Sequence, residues 1–141
     1  MMSEEWPGEM RGPMDVLSKY KEQGEMRAVG VSNHDFGAFC TAAECDWVDV
    51  VLAMINYAGH AMDNTPDKVA PVIEKIAQVG QGCLRYEGWG GAGRGLPLDP
   101  GRAIRYSMGV IRGSMPSIVM GMTNEALING TLGFFAKLEM V

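Results

Sequence analysis

Four short runs of β-branched and other apolar residues recur along the chain, each closed by polar residues and each followed by a helix-start signal. The first, A-V-G-V-S at 28–32, closes on Ser32, Asn33 and His34, with Asp35 placed as an N-cap. The second, D-V-V-L-A-M-I at 49–55, ends in Asn56 and Tyr57, and Thr65-Pro66-Asp67 then reads as a helix entry. A third, weaker run at 82–86 is interrupted by Arg85; Asp99-Pro100 opens the helix beyond it. The fourth, S-I-V-M-G-M at 117–122, precedes Thr123 or Asn124 as cap of a last helix. Strands alternating with helices, joined by crossovers too long for hairpins, predict an α/β fold with a parallel sheet covered by helices. Such folds put their functional groups at the carboxyl ends of the strands.

Helical spacing fills the intervals. Pro13, Leu17 and Tyr20 predict a helix over 13–23 that Gly24 ends, while W-P-G and G-P make residues 1–12 read as loop. Phe36, Phe39, Cys40 and Ala43 share one helical face, in a helix that ends near Cys45. Val69, Val72, Ile73 and Ile76 do the same up to Gly80, with Pro71 predicting either a kink or a start near Ala70. Ala103, Ile104 and Met108 mark a short helix stopped by Gly109. Leu127, Ile128, Leu132, Phe135 and Leu138 mark the last, in which Gly130 and Gly133 weaken the helical propensity. One helix followed by four strand–helix units fits a single domain of 141 residues.

Charge and cysteine usage narrow the function classes. A net charge of −5 gives no global attraction to nucleic acid or anionic membrane. Cys40, Cys45 and Cys83 lack the paired spacing of a zinc site and have only His34 and His60 to help them, so they read as buried thiols of a reducing cytosol. The acidic start lacks the apolar core of a secretory signal, and the apolar stretch at 47–57 is too short to span a bilayer. The expectation is a cytoplasmic protein without a membrane partner.

The candidate chemistry is sparse. Residues 88–93, G-W-G-G-A-G, match G-x-G-x-x-G after a strand, but Arg94, Gly95, Leu96 and Pro97 continue a loop where a dinucleotide fingerprint needs a helix. That leaves a plain loop, or a phosphate-binding loop of another fold that uses backbone amides beside Arg94. Ser32 and Asn33 can hydrogen-bond a ligand amide or satisfy the turn into the next helix. His34 and Asp35, being adjacent, fit a solvated or capping role better than an acid–base pair. His60 is assigned no chemistry. Asn56-Tyr57 and Tyr86-Glu87 share the strand-end position, where packing is favoured over proton transfer or stacking.

On these residues the chain resembles the C-terminal half of an aldo/keto reductase. The similarity runs through nearly all of it and is carried by G-E-M-R-A-V-G-V-S-N-H-D at 24–35, V-D-V-V-L-A-M-I-N-Y at 48–57, T-P-D-K-V-A-P-V-I-E-K at 65–75 and V-M-G-M-T-N-E at 119–125. The resemblance implies a partial (β/α)8 barrel, with four C-terminal βα units preceded by one helix and the strands standing as the fifth to eighth. It implies that Ser32 and Asn33 contact the nicotinamide carboxamide of NADP or NAD, that Tyr86 lies on the cofactor side, and that Gly93, Arg94 and Gly95 lie over the pyrophosphate. Thr123 and Asn124 would approach the adenosine phosphate. Leu52 stands where many members have a glutamine, and Gly121 and Leu127 where many have basic residues, so the resemblance does not choose between NADP and NAD. The family's catalytic tyrosine, lysine, aspartate and histidine belong to the first half of the barrel. The resemblance therefore implies the cofactor-binding side of an oxidoreductase acting on small carbonyls, completed by a homodimer or an N-terminal half-barrel. The alternative is a non-catalytic fragment or a nucleotide-binding or assembly half-barrel.

Overall fold

A computed structural model describes residues 4–60, 62–86, 99–109 and 117–138. The strands are β1 (Gly30–Ser32), β2 (Val50–Met54), β3 (Gly82–Tyr86) and β4 (Ser117–Val119). All pair in parallel, in the order β1-β2-β3-β4. The helices are α1 (Trp6–Glu9), α2 (Arg11–Glu22), α3 (Phe36–Ala42), α4 (Pro66–Gln78), α5 (Pro100–Gly109) and α6 (Glu125–Leu138). The α/β class and the parallel alternation are as the sequence predicts.

Strand order in sequence order has a consequence for the layers. Each crossover steps in the same direction, so right-handed connections set the crossover helices α3, α4 and α5 on one face of the sheet. Burial agrees with this arrangement. Val51, Ala53 and Arg85 are buried, and Val51 and Ala53 join one apolar cluster with Ala38, Phe39 and Ala42 of α3 and Val69, Ile73 and Ile76 of α4. The registers put the intervening residues together on the other face: Gly30, Val50 and Gly82; Ser32, Leu52, Leu84 and Ser117; Met54, Tyr86 and Val119. None of these is fully buried.

The amino terminus departs from the loop expected over 1–12, because residues 6–9 form α1 and α2 already begins at Arg11. Trp6 is the reason. Its side chain is 1% exposed within the core cluster, and its indole N–H donates to the Ala38 carbonyl at 3.2 Å. Pro7 and Pro13 sit in the first turns of their helices, where a missing N–H leaves no bond unmade. Burial of one large side chain outweighs the local turn propensity of glycine and proline.

Two further boundaries differ. The helix α4 runs through Pro71 without interruption, held by Val69, Ile73 and Ile76 on its buried side. The outer strands are shorter than expected: β1 keeps three residues of 28–32 and β4 three of 117–122. Among the described residues each pairs on one side only, so it has half the ladder bonds of β2 and β3 to hold its ends. Within β1, Gly30 is required, since a Cβ there would collide with the Val50 carbonyl on β2.

Arg85 does not break β3 as its charge suggested. It is 1% exposed, and its guanidinium donates to the Ser107 carbonyl in the last turn of α5, where unpaired carbonyls and the helix dipole favour a cation. Burial pushes its pKa down, and the nearby Cys83 opposes that. Burial likewise pushes the Cys83 thiol up despite the arginine, so it stays protonated. Cys40, Cys45 and Cys83 are free thiols of intermediate exposure. Among the described residues no helix is long and apolar enough to cross a membrane.

Candidate functional site

The polar groups of interest gather where the strands end. After β1 the chain turns at once into α3, because the Asp35 carboxylate accepts the Ala38 amide at 2.8 Å and caps the helix. That turn divides the two residues expected to act as a pair. Ser32 is exposed. Asn33 is 6% exposed, and its Nδ2 has no hydrogen-bond partner. It lines a cavity of about 10 Å³ together with Phe36 and Phe39 of α3, Leu52 to Met54 of β2, Asp63 and Val69. The space suits about one water molecule. A water in that space would accept from the Asn33 amide.

His34 projects outward, with 61% of its side chain exposed, and meets two groups from distant parts of the sequence. Asp63 Oδ1 lies 3.5 Å from its Nδ1. The Tyr86 hydroxyl lies 3.4 Å from both ring nitrogens, with the two rings edge to face at 85°. Burial pushes the Asp63 carboxyl up; His34 pulls it down and the Asp35 charge adds to the rise. Burial also pushes the Tyr86 phenol up, with a further push from the Asp63 charge. The expected pairing of His34 with its neighbour Asp35 does not form, because Asp35 is engaged as the cap. The partner is Asp63, in the loop before α4. Only the fold brings it there, so no sequence spacing announces it.

The loop after β2 owes its shape to Asn56, which is fully buried. Its Nδ2 donates to the His60 carbonyl at 2.8 Å, and its Oδ1 accepts the Ala58 and His60 amides at 3.2 and 3.0 Å. Asn56 is thus committed to the loop, in keeping with the packing role favoured for that strand end. Tyr57 links this loop to α5: its hydroxyl accepts the Asp99 amide at 3.1 Å, and Arg102 stacks over its ring at 4.2 Å.

Beyond β4, Thr123 and Asn124 are exposed, and the Asn124 side chain accepts the Leu127 amide at 3.0 Å to cap α6. Gly93, Arg94 and Gly95, with the rest of the glycine-rich stretch, lie outside the described residues. The structure therefore gathers Asn33, His34, Asp63 and Tyr86 around the ends of β1 to β3. Ser32 lies at the same end of β1 on the sheet face without helices. A larger crevice of about 380 Å³, lined by Glu44, Asp46, Asp49 and Lys75 among others, lies at the amino-terminal ends of the strands, away from this group. Among the described residues no group of three His, Cys, Asp or Glu is arranged to hold a metal ion. No family model, curated protein or solved structure matches this chain.

Proposed function

We propose that the chain is the cofactor-binding half of a (β/α)8-barrel oxidoreductase similar to the aldo/keto reductases, using NADP or NAD and acting on small carbonyls or alcohols. The observation that carries this reading is the sheet order. Four parallel strands in sequence order, without the reversal of a doubly wound sheet, have the order that half of a (β/α)8 barrel requires. Polar side chains gathered at the carboxyl ends of those strands are where a barrel enzyme needs them.

The residues present suit a nicotinamide. On the open face the exposed Ser32 hydroxyl can donate to or accept from a carboxamide. The Asn33 amide, set apart in a cavity with room for about one water, would act on it through that water. Tyr86, half-buried on the open face, offers an aromatic surface. When bound, the cofactor supplies the hydride; the protein supplies orientation and electrostatics. A homodimer or an N-terminal half-barrel would complete the sheet and could cover Val119 of β4 and Leu127, Ile128 and Leu132 of α6, which are apolar and exposed.

Titration of the full chain with NADPH and with NADH, followed by nicotinamide fluorescence, tests the reading. Saturable binding is expected, weakened about tenfold or more in Asn33→Asp, where a hydrogen-bond donor is replaced by a charge. Fluorescence that rises linearly with both cofactors overturns it.

A further inference from the structure

His34, Asp63 and Tyr86 come from three segments, the end of β1, the loop ahead of α4 and the end of β3, and His34 meets the other two at 3.5 and 3.4 Å. We propose that they form a proton-transfer unit, in which His34 gives a proton to, or takes one from, the oxygen of a small carbonyl or alcohol bound at the strand ends. This rests on the oxidoreductase reading and deepens it: the chain carries a proton donor of its own.

The roles derive from position. Asp63 faces Nδ1, so its carboxylate favours the tautomer protonated there, leaving Nε2 for the exchangeable proton. The charged or titratable groups acting on this carboxylate are His34 and Asp35, and Asp35 is fixed in place by its bond to the Ala38 amide. Burial and the nearby carboxylate keep the Tyr86 phenol protonated, so it orients the imidazole edge or a substrate oxygen as a neutral donor. His34 is open to solvent, which lets it recover a proton after each transfer.

In the forward step hydride from a bound nicotinamide would form the new C–H bond as the C=O π bond breaks. The freed pair on oxygen takes the Nε2 proton to form O–H, and the N–H electron pair stays on the ring nitrogen. Water then reprotonates the imidazole. In reverse, the neutral imidazole takes the alcohol proton and Asp63 remains ionised. Of the three groups, Asp63 alone also lines the small cavity at Asn33.

The test uses the full chain, NADPH and 4-nitrobenzaldehyde. His34→Ala is expected to cut aldehyde-dependent NADPH oxidation about 100-fold, within the range for a lost general acid. Added imidazole should restore much of the rate through the vacated, solvent-open position, and the NADPH dissociation constant should change less than twofold. A purely structural histidine would give neither the rescue nor the separation of rate from binding. An unchanged rate in a variant that still binds NADPH overturns the proton-transfer unit and leaves the cofactor reading standing. If the wild-type chain binds no NADPH or turns over no aldehyde, the coupling of the three groups decides alone. His34→Gln should raise the carboxyl-carbon NMR titration of Asp63, and Asp63→Asn should lower the ultraviolet titration of the Tyr86 phenol. Both shifts support the unit, and the absence of both overturns it whatever the fate of the cofactor reading.

Discussion

Asp49 and Asp63 put the same side chain into opposite surroundings. Asp49 accepts two bonds from the Lys21 ammonium, at 2.7 and 2.6 Å, and the Val29 amide at 2.8 Å, which together hold its carboxyl below the usual range. Asp63 is pushed the other way by burial. The consequences for stability have opposite signs. A depressed carboxyl contributes stability above the unfolded value near 3.8, and that contribution is lost as pH falls through the folded value. A raised carboxyl favours the folded state only while protonated, so stability is lost as pH rises from about 3.8 through the folded value. Thermal melts should therefore separate two variants. Asp49→Asn should lower the Tm at pH 7, and that deficit should shrink progressively as pH falls below about 3.8. Asp63→Asn should raise the Tm at pH 7 and match wild type near pH 3. Equal changes in both variants at pH 7 would show that local charge does not set these effects. None of this was visible in the sequence. The alternating runs located the strand end that holds His34, but Asp63 reaches it only because β2 lies beside β1.

Among the elements, α3 shows how much a short helix depends on its first residue. Seven residues are too few to be helical alone, so the element relies on packing of Ala38, Phe39 and Ala42 and on the Asp35 cap. Asp35→Ala removes the acceptor for the Ala38 amide and should cost about 1 kcal/mol in urea unfolding, with an unchanged m-value. A loss below about 0.3 kcal/mol would mean that the amide finds water at no cost. The cap was legible because Asp35 precedes an apolar face of period 3.6 at Phe36, Phe39 and Ala43, and the later helices were legible for the same reason. What local pattern could not give was α1, where the burial of Trp6 overrides W-P-G, or the extent of β1 and β4, where a missing neighbour shortens the ladder. The passage of α4 through Pro71 belongs with these. The buried faces of Ile73 and Ile76 keep the helix in line where the backbone lacks one bond.

At the scale of the molecule, one face and two edges of the sheet have no partner among the described residues, and most of the exposed large apolar residues belong to the segments that flank the outer strands. Val16 and Tyr20 of α2, with Met10 before it, stand on the β1 side; Val119, Met122, Leu127, Ile128 and Leu132 stand on the β4 side. Leu132 is 59% exposed on an α6 that touches α5 through Phe134 and Gly101. The edges of one parallel sheet are not equivalent. Joining β4 of one copy to β1 of another keeps all strands parallel and all helices outside, whereas joining like edges reverses the strand direction. Two such joins close a ring of eight strands and bury both flanks. Sedimentation equilibrium should therefore give a mass above the 15.3 kDa of one chain that rises toward twice that value with concentration. The double substitution Leu127→Glu and Leu132→Glu should return the mass to that of a monomer. It should leave far-ultraviolet circular dichroism unchanged, because neither side chain is buried within the chain. A wild-type protein monomeric at all concentrations would show that α6 does not drive self-association. An associated variant would move the contact to the β1 flank, where Val16→Glu is the corresponding change.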